Sequence, residues 1–297
     1  MLTKTSPSRG AGSPEVIGFH DKATGSCQYL VIDPATREAA LIDVVLDFDP
    51  VAARTRTVAA EYALKLAEEQ GVKITLILDT HPHADHLSAG HWLSQKTGAP
   101  HWIGEKCTEI AGIWTGIYHL PEGTLDPARD HDRLLADGET FRLGTLTGRV
   151  MLSPGHTLGS ITYVIGDAAF VHDTLMQPDA GTSRCDFPGG SAAMLWDSLQ
   201  AIFALPGDTR LFIGHDYGTK TREEPAWEST VAEQKATNIQ LAGRTREEWI
   251  AVREARDATL ALPRQMLHAL QVNLRGGRLP EPEADGQSYF KIPANHF

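Results

Sequence analysis

Six residues constrain this chain more than any others. His81-Pro82-His83-Ala84-Asp85-His86 places three imidazoles and a carboxylate within one short stretch. It directly follows Ile74-Thr75-Leu76-Ile77-Leu78, an apolar run that reads as a buried strand. His81 and His83 are two apart, so in extended or tight-turn backbone their rings can converge on one point. Asp85 and His86 are expected to open the next helix, with Leu87 and Trp92 on its apolar side, because a helix N-terminus carries such groups without losing helical hydrogen bonds. A solvated polar turn would explain any one of these histidines alone. It does not explain the cluster, which reads as a metal site at a strand end.

Three later segments repeat the pattern. Ser153-Pro154-Gly155-His156-Thr157 follows the strand-like Gly148–Leu152, Asp173 follows Phe170-Val171-His172, and Gly214-His215-Asp216 follows Leu211-Phe212-Ile213. A lone strand-end His or Asp is usually a hydrogen-bonded cap. Three of them, beside the hexapeptide, are what a sheet needs to gather ligands along one edge. His172 is expected to face away from the site if strand alternation persists. His20, His91, His101, His119, His131, His268 and His296 have no ligand spacing and read as surface or satisfied interior groups.

Short strands at Val16–Phe19, Tyr29–Ile32 and Ala39–Ile42 read as a meander, followed by an amphipathic helix through Val58, Tyr62 and Leu66 with Gly71 as its left-handed cap. The second half carries strands at Ile161–Ile165 and Ala168–Val171 and a helix from Ser191 through Leu195, Leu199 and Ile202. After Trp227 the chain reads as helical to about Asn273, with Pro263 tolerable only near a helix start. Two strand-rich halves with helices outside predict two packed sheets. The expected organisation is a disordered tail over residues 1–14, then a single domain over 15–297 with a helical C-terminal extension from about residue 228.

Composition narrows the function. With 27 Lys and Arg against 38 Asp and Glu, the formal net charge is -11, which disfavours a generally basic nucleic-acid binder. No apolar run approaches the ~18 residues of a membrane helix. Cys27, Cys107 and Cys185 lie too far apart for a zinc ribbon or a disulfide framework, so a cytoplasmic, reducing location is expected.

His-x-His-x-Asp-His, the later Gly-His-Thr, a strand-end Asp and Gly-His-Asp-Tyr together resemble the ordered signatures of the metallo-β-lactamase fold, over roughly Val16 to Tyr217. The resemblance implies an α/β, four-layer αββα sandwich with metal at one sheet edge. The loop from Asp179 through Gly181-Thr182-Ser183-Arg184-Cys185-Asp186-Phe187-Pro188-Gly189-Gly190 is similar to the bacterial persulfide dioxygenases (sulfur dioxygenases), which are related to the ethylmalonic encephalopathy protein and to glyoxalase II. Asp216 before Tyr217 agrees, since glyoxalase II more often has Glu there. The family pattern implies one Fe(II) per chain on His81, His156 and Asp173, with His83, Asp85, His86 and His215 around those ligands. It further implies that Arg184 and Tyr217 line a glutathione pocket, that glutathione persulfide and O₂ are the substrates, and that the chain forms a homodimer or higher homo-oligomer. Two imidazoles and one carboxylate on non-haem iron leave positions open for O₂ and a soft sulfur, in keeping with that chemistry. The sequence departs from the human-type pattern at Gln240, where a second pocket arginine is expected, and in its longer C-terminal region.

The main rival is a binuclear thioester hydrolase of the glyoxalase II type. Asp85, His86 and His215, with Asp173 bridging, would hold its second metal, and the ligand inventory alone does not separate one metal from two. A metal-stabilised persulfide sensor and an RNA-processing nuclease are remoter readings. The open-site ligand number weighs against the first and the acidic charge against the second.

Overall fold

Alternation along Cys27–Ile32 sets the layering. Cys27, Tyr29 and Val31 face a core between two sheets, while Leu30 and Ile32 face a second core beneath helices. The computed structural model describes residues 1–297. Its first half comprises β1 (Leu2–Ser6), β2 (Glu15–His20), β3 (Cys27–Ile32), β4 (Glu38–Ile42), β5 (Val45–Asp49), β6 (Arg54–Arg56), α1 (Val58–Glu69) and β7 (Lys73–Leu78). β8 (Leu87–Ser88), α2 (Gly90–Thr97), β9 (His101–Gly104), α3 (Cys107–Ile117), α4 (Pro127–Asp130) and β10 (Arg133–Leu135) follow. The second half has β11 (Thr140–Leu143), β12 (Leu146–Leu152), β13 (Ile161–Ile165), β14 (Ala168–His172), α5 (Ala192–Phe203), β15 (Arg210–Ile213) and β16 (Glu228–Thr230). It closes with α6 (Val231–Thr237), α7 (Arg246–Asp257) and α8 (Met266–Asn273).

The larger sheet has the order β1-β2-β3-β4-β7-β9-β10, and the other runs β11 to β16 in sequence. Their facing sides share one core of 33 buried residues, including Tyr29, Phe141, Val150, Tyr163, Phe170 and Phe212. Leu195, Leu199 and Ile202 of α5 and Trp249 of α7 close this core from the far side of the second sheet. On the other flank, Ala60, Ala63 and Leu66 of α1, Leu93 of α2 and Ala269 of α8 pack on the outer face of the first sheet. The result is the αββα sandwich expected from the sequence. Small alanines on α1 bring that helix close to the strands, and Val58, expected on its apolar face, is exposed instead. No helix is long and apolar enough to cross a membrane.

Three further expectations need correction. The first fourteen residues are not a disordered tail: β1 pairs antiparallel with β2 from Leu2↔His20 to Ser6↔Val16. The cause lies far away in sequence. Arg210 is buried, and its guanidinium donates to Ser6 Oγ at 2.9 Å, Ser13 Oγ at 3.0 Å and the Pro14 carbonyl at 2.9 Å. A buried cation requires such acceptors, and the polar segment supplies them. Asp85 and His86 do not open a helix, because α2 begins only at Gly90. The His83 and His86 carbonyls accept instead from the side-chain amide of Asn273, at 2.7 and 2.8 Å. His172 does not face away either. The β14–β15 register shifts between Phe170 and His172, and His172 takes a left-handed φ of 40°, which breaks the alternation.

Candidate metal centre

The loops after β7, β12, β14 and β15 deliver His81, His156, Asp173 and His215 to one edge of the sandwich. All four are buried. Asp173 Oδ2 lies 3.7 Å from His81 Nε2 and 3.6 Å from His156 Nε2. Metal–ligand bonds of about 2.0–2.2 Å separate neighbouring ligand atoms by roughly 3–3.8 Å, so this carboxylate oxygen can share an ion with either imidazole. His83 also has a donor atom within 4.8 Å of those of His81 and Asp173.

Neighbours decide which ring nitrogens are free. Thr80 Oγ1 donates to Asp43 Oδ2 at 2.7 Å, so it can only accept from His81 Nδ1–H at 3.1 Å. His81 Nε2 is thereby left bare, buried and without a hydrogen-bond partner. His156 donates from Nδ1 to the Arg184 carbonyl at 2.7 Å, and His86 from Nδ1 to the Leu87 carbonyl at 3.2 Å, which bares their Nε2 atoms as well. Burial, reinforced at His81 by the neighbouring His83, pushes His81 well below the usual imidazole range. Burial also lowers His156, against the pull of Asp173. Both rings are thus held neutral, as metal ligands must be.

His215 behaves differently. Burial alone would lower it, but Asp173 and Asp85 hold it well above the ordinary value. Its Nδ1 faces Asp173 Oδ1 and its Nε2 faces Asp85 Oδ2, both at 2.6 Å, and Ser26 Oγ lies 3.0 Å from Nε2. Asp173 therefore has one oxygen committed to His215 and the other turned toward His81 and His156. His83 Nε2 lies 3.1 Å from Asp43 Oδ1, though without hydrogen-bond alignment. His172 packs its ring 4.9 Å from that of His81 and sits 3.0 Å from Thr174 Oγ1. Asp43, Thr80 and Asn273 carry no ligand spacing and were invisible to motif reading. Only the left-handed φ of 52° at Asp43 marks it as constrained.

A cleft of about 720 Å³ opens over this edge, lined by His156, Asp173, His215, Tyr217 and Arg184. Tyr217 stacks on His215 with ring centroids 5.9 Å apart and lies against Gly25, whose φ of 78° and missing side chain admit the ring. Arg184 lines the cleft, yet two of its N–H groups are taken by Asp186, at 2.7 and 2.8 Å, and a third by the Ala261 carbonyl at 2.7 Å. Gln240 accepts from the Thr182 amide and hydroxyl at 3.1 and 2.8 Å, which shapes the 179–190 loop. Three further arginines of the lining come from the C-terminal region: Arg253 is paired with Asp257, whereas Arg256 and Arg264 form no ion pair. Sequence spacing offered no signal for either.

The donor set fits a divalent transition metal: neutral imidazoles with bare Nε2 atoms around one carboxylate oxygen, all buried. The residues that supply it fall inside a recognised pattern, since the family model described as "Metallo-beta-lactamase superfamily" matches residues 24–215. A "Beta-lactamase hydrolase-like protein" of Xylella fastidiosa is 55% identical over 283 residues; these are 95% of this chain but only 65% of the longer relative. The human mitochondrial protein named persulfide dioxygenase ETHE1 is 29% identical over 272 residues, covering 90% of this chain and 91% of its own. Among solved structures, ETHE1 from Myxococcus xanthus superposes with a TM-score of 0.72 at 30% identity, over 89% of this chain and 99% of that one. With its metal-facing groups all lying within the matched residues of a two-sheet frame, the chain belongs to the metallo-beta-lactamase superfamily.

Proposed function

We propose that this protein is a persulfide dioxygenase that holds one Fe(II) on His81, His156 and Asp173. The reaction is glutathione persulfide plus O₂ and water giving glutathione, sulfite and two protons, with the outer sulfur losing the four electrons that O₂ gains. The observation that carries this reading is the division of labour at Asp173. Its Oδ2 lies at nearly equal distances from the bare nitrogens of His81 and His156, while its Oδ1 is held by His215. When bound on two imidazoles and one carboxylate, Fe(II) offers open positions where dioxygen and a soft sulfur can meet.

The remaining groups orient and bind. Thr80 and the Arg184 carbonyl fix the ring orientations of His81 and His156. His215 ties Asp173 to Asp85, and Tyr217 stacks over His215 in the lining of the cleft, where its hydroxyl, 3.4 Å from Asp85 Oδ2, would hydrogen-bond a substrate sulfur. Arg184, braced by Asp186, forms one wall and stacks on Phe187. Arg256 and Arg264 supply positive charge for an anionic thiol such as glutathione. The similarity to proteins named ETHE1, one of them a persulfide dioxygenase, supports the assignment.

A binuclear thioester hydrolase is the second reading, because donor atoms of His83, Asp85, His86 and His215 all lie within 4.8 Å of one another. Metal analysis of anaerobically purified protein, paired with O₂ uptake on adding glutathione persulfide, separates the two. About one iron per chain, with O₂ consumed and sulfite released, is the expected result. Two metals per chain, no O₂ uptake and hydrolysis of S-lactoylglutathione would replace the dioxygenase with the hydrolase.

A further inference from the structure

Beneath the hexapeptide lies a second group of potential ligands that motif reading scattered among ordinary histidines. Asp79 follows β7, His101 opens β9 and His131 precedes β10, and these three strands are consecutive neighbours in the larger sheet. The three side chains, up to 52 positions apart in sequence, come together at its edge by virtue of that ordering: one donor atom of each lies within 4.8 Å of those of the other two. All three are buried, with Asp79 and His101 each 2% exposed and His131 6%.

Hydrogen bonding alone leaves the cluster incomplete. His131 Nδ1 lies 3.0 Å from the Pro127 carbonyl, which accepts only from an N–H, so its Nε2 carries the bare lone pair. That Nε2 is buried and has no partner, and neither has His101 Nδ1. His101 Nε2 is hydrogen-bonded to Asp79 Oδ2 at 3.0 Å, a separation close to the roughly 3.3 Å of two ligands on one tetrahedral ion with ~2.0 Å bonds, so an ion can take the place of the shared proton. Ser88 Oγ steadies the same carboxylate oxygen at 2.6 Å. The backbone also makes room, since a Cβ at Gly90 would stand 2.1 Å from the His101 ring. A buried carboxylate beside two imidazoles that each keep an unpartnered nitrogen is a site for a cation.

We propose that Asp79, His101 and His131 form a separate structural site for a divalent metal of the zinc class, with water completing the coordination. The ion clamps β7, β9 and β10 at the end from which the chain passes through Asp79 and Thr80 to His81. It does not depend on the reaction assigned to the cleft.

Zinc-edge anomalous diffraction from crystals of the wild-type chain soaked in zinc tests the site directly. A peak about 2.0–2.1 Å from His131 Nε2 and from a ring nitrogen of His101 is expected. Zinc peaks confined to the neighbourhood of Asp173 would overturn the proposal. In solution, His131→Ala should bind one zinc per chain fewer than wild type and lose the zinc-dependent rise in Tm. Equal zinc content and equal Tm shifts in the two proteins would overturn it as well. If His131→Ala does not fold, the diffraction experiment on the wild type still decides.

Discussion

At the residue scale the centre is governed by which nitrogen of each ring carries its proton, and that is decided by neighbours that never touch the metal. Thr80 matters because Asp43 uses up its hydroxyl hydrogen, forcing it to accept from His81 Nδ1. Thr80→Val removes that acceptor while keeping the side-chain volume. It should weaken metal affinity on the order of 10–100-fold, the usual effect of losing such a supporting hydrogen bond. Competition against a chelator of known strength measures this, and unchanged affinity would remove Thr80 from the argument. Asp173→Ala should lose metal and activity together, because no other carboxylate has an oxygen placed between His81 and His156. Full metal retention in that variant would show that the ligands are wrongly assigned.

At the scale of elements, the C-terminal helices organise the centre although they contribute no ligand. Asn273, the last residue of α8, donates to the His83 and His86 carbonyls and accepts from the Ser88 amide at 2.7 Å. These three hydrogen bonds replace the helical ones that Asp85 and His86 were expected to make. Asn273→Ala leaves three buried groups unpaired, and at roughly 1 kcal/mol or more for each the loss should be on the order of 3 kcal/mol. Denaturant unfolding reads this directly, and a loss below about 1 kcal/mol would place the loop's support elsewhere. The segment beyond α7 also brings Arg264 to the cleft, joining Arg256 of α7. A double Arg256→Ala, Arg264→Ala variant should raise KM for glutathione persulfide with kcat and bound iron little changed. A fall in kcat at constant KM would mean that these arginines do not bind substrate.

At the scale of the whole molecule, the two sheets are joined by polar ties as well as by their shared core. Asp33, in the turn between β3 and β4, accepts from the Thr145 amide at 2.7 Å and hydroxyl at 2.9 Å in the turn between β11 and β12. Burial would raise its pKa, but these bonds, with those from Thr36 and Ala35, hold it down at about 2. A carboxyl depressed in the folded state stabilises at pH values above its unfolded pKa of 3.8, and that contribution is lost as pH falls through about 2. It amounts to about 2 kcal/mol at neutral pH. Asp33→Asn should therefore lower stability at pH 7 by about that amount and flatten the acid limb between pH 4 and 2. An acid limb identical to that of the wild type would show that the tie between the sheets is immaterial to acid unfolding.

Most strands and the ligand-bearing loops were legible in the sequence because each depends on local chemistry. The apolar run Ile74–Leu78 had to be buried, Gly71 had to cap a helix, and His81 to His86 had to follow a strand end. The order of these motifs was enough to specify the sandwich and the groups drawn to its edge. What tertiary structure decided depends on partners distant in sequence. Arg210 orders the residues before Pro14, Asn273 keeps Asp85 and His86 out of a helix, and the bulge at His172 turns that ring toward His81. Asp79, His101 and His131 meet only because their strands pair in the order β7-β9-β10. Local periodicity reports which face a side chain occupies. The partner waiting on that face is set by long-range packing, which no short window of sequence contains.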